Sequence, residues 1–128
     1  MDEEVTLPDG PAGASFARRA MARAADLWLL DRDLTETALL LVSELATNAV
    51  RHGAPPVRLS LRLERNRLRV EVTDSSPALP ELGRNGPDQI GGRGLQIVQL
   101  LATRWGACAL PHRLGKTVWF ELKNGTLR

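Results

Sequence analysis

An α+β sandwich, with helices on one face of a mixed, mainly antiparallel sheet, is the fold class this chain predicts. Three patterns carry the prediction. Residues 16–30 and 34–51 place apolar side chains at helical spacing. VRLSLRLE and LRVEVTD, residues 57–64 and 68–74, alternate strictly and are joined by a short turn, which is the mark of a hairpin. A further helical pattern over 93–103 and two short strands, 105–110 and 117–122, complete the order strand, helix, helix, hairpin, loop, helix, hairpin.

Taken in order, residues 5–7 predict a short edge strand, ended by Pro8 and the DGPAG turn cluster. Ser15 then serves as the expected N-cap of the first helix, on which Arg18, Arg19 and Arg23 form a basic group. That group is either a solvated helix face or a docking patch for an acidic partner. Asp31, Arg32 and Asp33 separate the two helices, with Asp33 the expected cap of the second. Gly53 after His52 suits the left-handed C-terminal position, and Ala54-Pro55-Pro56 turns the chain into the hairpin. Residues 75–92 hold three prolines and four glycines with neither periodicity, a pattern expected of a lid. In the helix after it, Leu95, Val98, Leu101 and Ala102 make the apolar pattern.

The chain has 128 residues, 43% hydrophobic and 25% charged, which fits one globular domain over 1–128 with its core in about 34–122. A net charge of +2 without any Tyr gives neither a dense basic stripe nor a large stacking platform, so direct nucleic-acid binding is not expected. The single cysteine, Cys108, excludes an internal disulfide and a cysteine-cluster metal site. The N-terminus is acidic, and no apolar run approaches membrane-spanning length, so the expectation is a cytoplasmic protein without a membrane anchor. Arginines outnumber lysines fifteen to two, a bias more expected of a GC-rich coding genome than of chemistry.

The chemistry concentrates in ELATNAVRH, residues 44–52. On a helix, Ala38, Leu41, Val42, Leu45 and Ala49 form an apolar stripe, and Glu44, Asn48 and His52 line one edge of it. Polar groups at a core margin must be hydrogen-bonded or lose roughly 1 to 3 kcal/mol each. An internal network, access to solvent, or a bound Mg²⁺ taking the Asn48 amide oxygen would each satisfy them. In the last case Glu44 stands one turn away, placed to accept a proton beside phosphates.

Asp74, at the end of a strand, can accept from an exocyclic amine such as that of adenine, or cap the Ser-Ser-Pro turn that follows. GGRGL, residues 91–95, opens a helix, where glycines let backbone N–H groups approach phosphates or merely punctuate the loop. Thr117 can bridge a base edge through its hydroxyl or a water, or simply favour a strand. Neither a P-loop nor a Rossmann glycine pattern occurs.

Together, E-L-x-x-N-A-x-x-H, D-x-S-x-x-x-P, G-x-R-G-L and G-K-T-V-x-F resemble the ATP-binding domain shared by DNA gyrase, heat-shock chaperones, histidine kinases and mismatch-repair proteins, the GHKL type or Bergerat fold. Within it the chain looks most like the small anti-sigma factor serine/threonine-protein kinases of the actinobacterial type. The resemblance implies ATP and Mg²⁺ as cofactors, Glu44 as catalytic base and Asn48 as Mg²⁺ ligand. It implies Asp74 as the adenine-reading carboxylate and Gly92, Arg93, Gly94 and Leu95 as the phosphate-contacting end of the lid. Thr117 is implied beside the adenine pocket, and His52, closing the first motif, is counted with the nucleotide-binding residues.

The implied activity is phosphorylation of a serine in an anti-sigma factor antagonist, a small STAS-domain protein, together with sequestration of a sigma factor. Relatives commonly form homodimers. Serine rather than histidine is expected as acceptor because no helical hairpin precedes the domain. Two alternatives are a regulatory partner that binds ATP without using it and the detached catalytic part of a histidine kinase. Where many relatives have D-x-G-x-G the chain has Ser75-Ser76-Pro77, and where they often have Gly it has Gln96, changes that imply a stiffer lid.

Overall fold

In the computed structural model, which describes residues 1–78 and 92–123, five strands form one sheet in the order β1-β2-β3-β5-β4. The elements are β1 (Asp2–Leu7), α1 (Ala12–Leu27), α2 (Arg32–His52), β2 (Val57–Glu64), β3 (Arg67–Asp74), α3 (Gly92–Leu101), β4 (Arg104–Ala109) and β5 (Lys116–Lys123). Every strand pairing is antiparallel, so the mainly antiparallel sheet expected from the sequence contains no parallel pair among the described residues. The lid expectation falls largely on 79–91, outside the described residues.

Register explains how the sheet builds its core. Leu61, Val70, Phe120 and Trp105 are successive partners across β2, β3, β5 and β4, and Val5, Leu59, Val72 and Val118 form the next row. Because side chains alternate faces along a strand, these rows share one face, and Leu61, Val70 and Phe120 are almost fully buried. The α2 stripe read from the sequence is buried with them: Ala38, Leu41, Val42, Leu45 and Ala49. Helix α2 is central, packing on α1 and α3 and against β2, β3 and β5.

The opposite face is polar. Glu121 is buried there and accepts from Arg69 at 2.7 Å, with Arg67 at 3.5 Å. Arg69 also donates to Glu71 at 2.6 Å and lies 4.1 Å from the Trp119 ring centroid. Burial opposes the charged guanidinium, but its bonds to Glu71 and Glu121 outweigh that and raise its pKa further.

Several local expectations are corrected. Helix α1 starts at Ala12 after Pro11, which makes no side-chain cap bond, and Ser15 lies inside the helix, accepting from Arg19 at 2.8 Å. Asp31, not Asp33, caps α2: its Oδ1 accepts from the Leu34 backbone N–H at 2.7 Å. Gly53 is extended (φ −92°, ψ −161°) rather than left-handed. Leu101, expected to be apolar-facing, is exposed at the end of α3.

Candidate functional site

The C-terminal ends of α2 and β3 meet at Asp74. This carboxylate is 3% exposed and faces the helices, because it continues the inward-facing set of Leu68, Val70 and Val72 on β3. Its Oδ1 accepts from the Ser76 backbone N–H at 2.7 Å, closing an Asx turn, and from Ala54 N–H at 3.5 Å. Ser75 N–H donates in turn to the Ala54 carbonyl at 2.8 Å. Turn capping, one of the two roles open to Asp74 from the sequence, is therefore present, and it fixes the carboxylate rather than consuming it.

A glycine makes this approach feasible. A Cβ at Gly53 would lie 2.5 Å from Asp74 Cγ and Oδ2 and 2.6 Å from the Ala49 carbonyl. Gly53 is thus required by space, not by a positive φ. Gly115 is required by both, with φ 137° and a prospective Cβ 2.5 Å from the Asp74 carbonyl. It lets the chain enter β5 so that Lys116 pairs with Asp74 across the ladder.

Lys116 is a residue of this site that no local sequence pattern marks. Its ammonium lies 3.0 Å from Asp74 Oδ2 and 3.1 Å from Oδ1, and the residue is only 7% exposed. Thr117, expected at this place, is not brought to the carboxylate. Its hydroxyl is 2.8 Å from that of Thr73, and both belong to the opposite face of the sheet. The expectation for Thr117 is corrected accordingly.

Upstream on α2, Glu44 and Asn48 are half-buried and His52 is exposed, one helical turn apart. Neither the Glu44 carboxylate nor the Asn48 amide has a hydrogen-bond partner among the described residues. An amide oxygen is a donor type that a hard cation accepts, so the Asn48 side chain fits such a cation by its chemistry. Among the described residues no group of three or more His, Cys, Asp or Glu could hold a metal ion. Slight burial, and then the charge of Arg51, lower the His52 pKa below its ordinary 6.5.

Helix α3 begins at Gly92 and packs on α2, so Gly92, Arg93 and Gly94 supply the backbone of its first turn. Leu95 is 1% exposed and therefore anchors this turn in the core rather than presenting its side chain to a ligand. Helix α3 thus packs on the helix that carries the polar edge, and the buried carboxylate stands where that helix ends; backbone N–H groups at a helix start attract anions, and a carboxylate accepts from an amine.

The RsbU and RsbW domains of Rv1364c from Mycobacterium tuberculosis share this architecture with a TM-score of 0.73 and 17% identity, over 96% of this chain and 32% of that one. The histidine kinase domain of the blue-light activated histidine kinase from Erythrobacter litoralis EL346 matches 70% of this chain and 44% of its own, with a TM-score of 0.51 and 27% identity. The chain thus spans less than half the length of either solved chain. No curated protein matches it in sequence. The sequence pattern of the histidine kinase-like ATPase domain matches residues 7–121, from the end of β1 well into β5. With that match extending over most of the sheet and all three helices, the chain belongs to the histidine kinase-like ATPase domain family.

Proposed function

We propose that the protein is a Mg-ATP-dependent serine/threonine-protein kinase that phosphorylates a STAS-domain antagonist and, through it, regulates a sigma factor. Membership in an ATPase family supports ATP as the nucleotide. The observation that carries the proposal is the line along α2: Glu44 and Asn48, both half-buried and without partners among the described residues, above the anchored carboxylate of Asp74. The finer identity rests on the four sequence motifs and their resemblance to the anti-sigma factor kinases.

In this reading Asp74 accepts from the adenine amine, and the backbone of Gly92, Arg93 and Gly94 orients the phosphates at the start of α3. Asn48 would hold Mg²⁺, which when bound neutralises charge on the phosphates. His52 lies at the adenine end of the same polar edge. The acceptor serine oxygen bonds to the γ-phosphorus as the bond to the β–γ bridging oxygen breaks and ADP leaves. Glu44 takes the serine proton. Positioning and charge neutralisation supply most of the acceleration in such transfers, which a domain of this size can provide.

The test is incubation with labelled ATP and candidate STAS-domain proteins. Phosphoserine is expected, with Glu44→Ala reducing transfer by roughly 10²-fold or more while ATP still binds, and Asn48→Ala weakening Mg²⁺-dependent binding. Equal transfer by the Glu44 variant would remove it as the base. The likeness to a histidine kinase domain favours a second reading, transfer to a histidine on a separate chain. An acid-labile phosphate on the acceptor would select that reading instead.

A further inference from the structure

We propose that Lys116 is a specificity-determining residue that donates to the N1 acceptor of a bound adenine while Asp74 accepts from the neighbouring exocyclic amine. The inference deepens the nucleotide assignment above and depends on it. It starts from an inventory of donors and acceptors. Asp74 Oδ1 receives Ser76 N–H at 2.7 Å, Lys116 at 3.1 Å and Ala54 N–H at 3.5 Å, whereas Oδ2, among the described residues, has only the ion-pair contact with the Lys116 ammonium at 3.0 Å. An ionised carboxylate offers about four acceptor sites. Oδ2 therefore keeps one for an incoming N–H.

The ammonium has the complementary surplus. It carries three N–H donors, and its protein partner among the described residues is the Asp74 carboxylate alone. A group this buried has little access to water, and a donor left without an acceptor there is costly. Among the described residues the site thus presents one free acceptor beside one free donor. The Watson–Crick edge of adenine presents a donor, the exocyclic amine, beside an acceptor, N1. The two arrangements match term for term.

Register makes the pairing possible. Asp74 and Lys116 are direct partners in the β3–β5 ladder, so both side chains stand on the helix side of the sheet. Thr117, one residue on, is bound to Thr73 on the other side and cannot substitute. Gly53 closes against Asp74 Oδ2 and Gly115 against the Asp74 carbonyl, so the carboxylate has little freedom to turn away.

The experiment is calorimetric titration of the full chain with Mg-ATP and with Mg-1-deaza-ATP, in which a C–H replaces N1. The wild type is expected to bind ATP roughly tenfold to a hundredfold more tightly than the analogue, the range for a buried hydrogen bond to a charged donor. Lys116→Met, which keeps the stem and cannot donate, is expected to bind both equally and weakly, whereas Lys116→Arg should retain the preference. Equal binding of the two nucleotides by the wild type, a comparison that needs no variant to fold, would overturn the proposal. So would an unchanged preference in a Lys116→Met protein shown to be folded by circular dichroism. Absence of any ATP binding by folded wild type would instead overturn the nucleotide assignment itself, so the two failures are distinguishable.

Discussion

One carboxylate, Asp74, fastens a turn, joins the ends of two elements and pairs with a buried lysine. The tightness of that arrangement gives a first prediction. Gly53→Ala forces a methyl group to within 2.5 Å of Asp74 Oδ2, so the carboxylate or the end of α2 must shift. A loss of about 1–3 kcal/mol of stability and a clear loss of ATP affinity are expected, read by urea unfolding and by titration. Unchanged values in both would mean that the contact is easily relieved. His52 gives a second prediction. Its pKa is lower in the folded protein than the ordinary 6.5, so the unfolded chain binds more protons between the two values, and stability falls as pH drops below about 6.5. Because His52 is exposed, the effect is small, and His52→Gln should flatten this part of the pH profile without moving stability at pH 8 by more than about 0.5 kcal/mol. Legibility at this scale was uneven for a physical reason. Glu44, Asn48 and His52 follow from local helical spacing, but Lys116 and Thr117 are neighbours in sequence, and only pairing with β3 decides which of them faces Asp74.

The three helices and the strands were recoverable from periodicity because each buries one stripe or one face, as the α2 stripe and the β2–β3 hairpin demonstrate. Element ends were less legible. Asp31 and Asp33 are both chemically suited to cap α2, and the choice depends on backbone angles: Asp31 is extended (φ −69°, ψ 164°), while Asp33 already lies in the first turn. The consequence is measurable. Asp31→Ala is expected to cost about 0.5–2 kcal/mol by removing the bond to Leu34 N–H, lowering the thermal midpoint by a few degrees. Asp33→Ala should cost less, since it removes only a favourable charge near the helix start. The reverse order would show that the observed cap is not the one that matters. Gly53 offers the same lesson, being needed for closeness to another element that no local pattern reveals.

At the scale of the whole molecule, α2 packs against β2, β3 and β5 and carries the polar edge in its C-terminal half, with α3 packed on it and the β3–β5 ladder ending at Asp74 and Lys116. From Gly53 back to Asn48 and Glu44 the helix rises about 7.5 and 13.5 Å at 1.5 Å per residue, which separates the end proposed to read the base from the groups proposed for cation and proton. Among the described residues no helix is long and apolar enough to cross a membrane. In the proposed mechanism one elongated nucleotide occupies this line, with its base at the Asp74 end. The most direct measurement is calorimetric titration of Mg-ATP into folded wild type and folded Asp74→Asn. Saturable one-to-one binding by the wild type, weakened roughly tenfold or more in the variant by loss of the charged acceptor, is predicted. No heat with the wild type, or equal affinity in the two proteins, would contradict it.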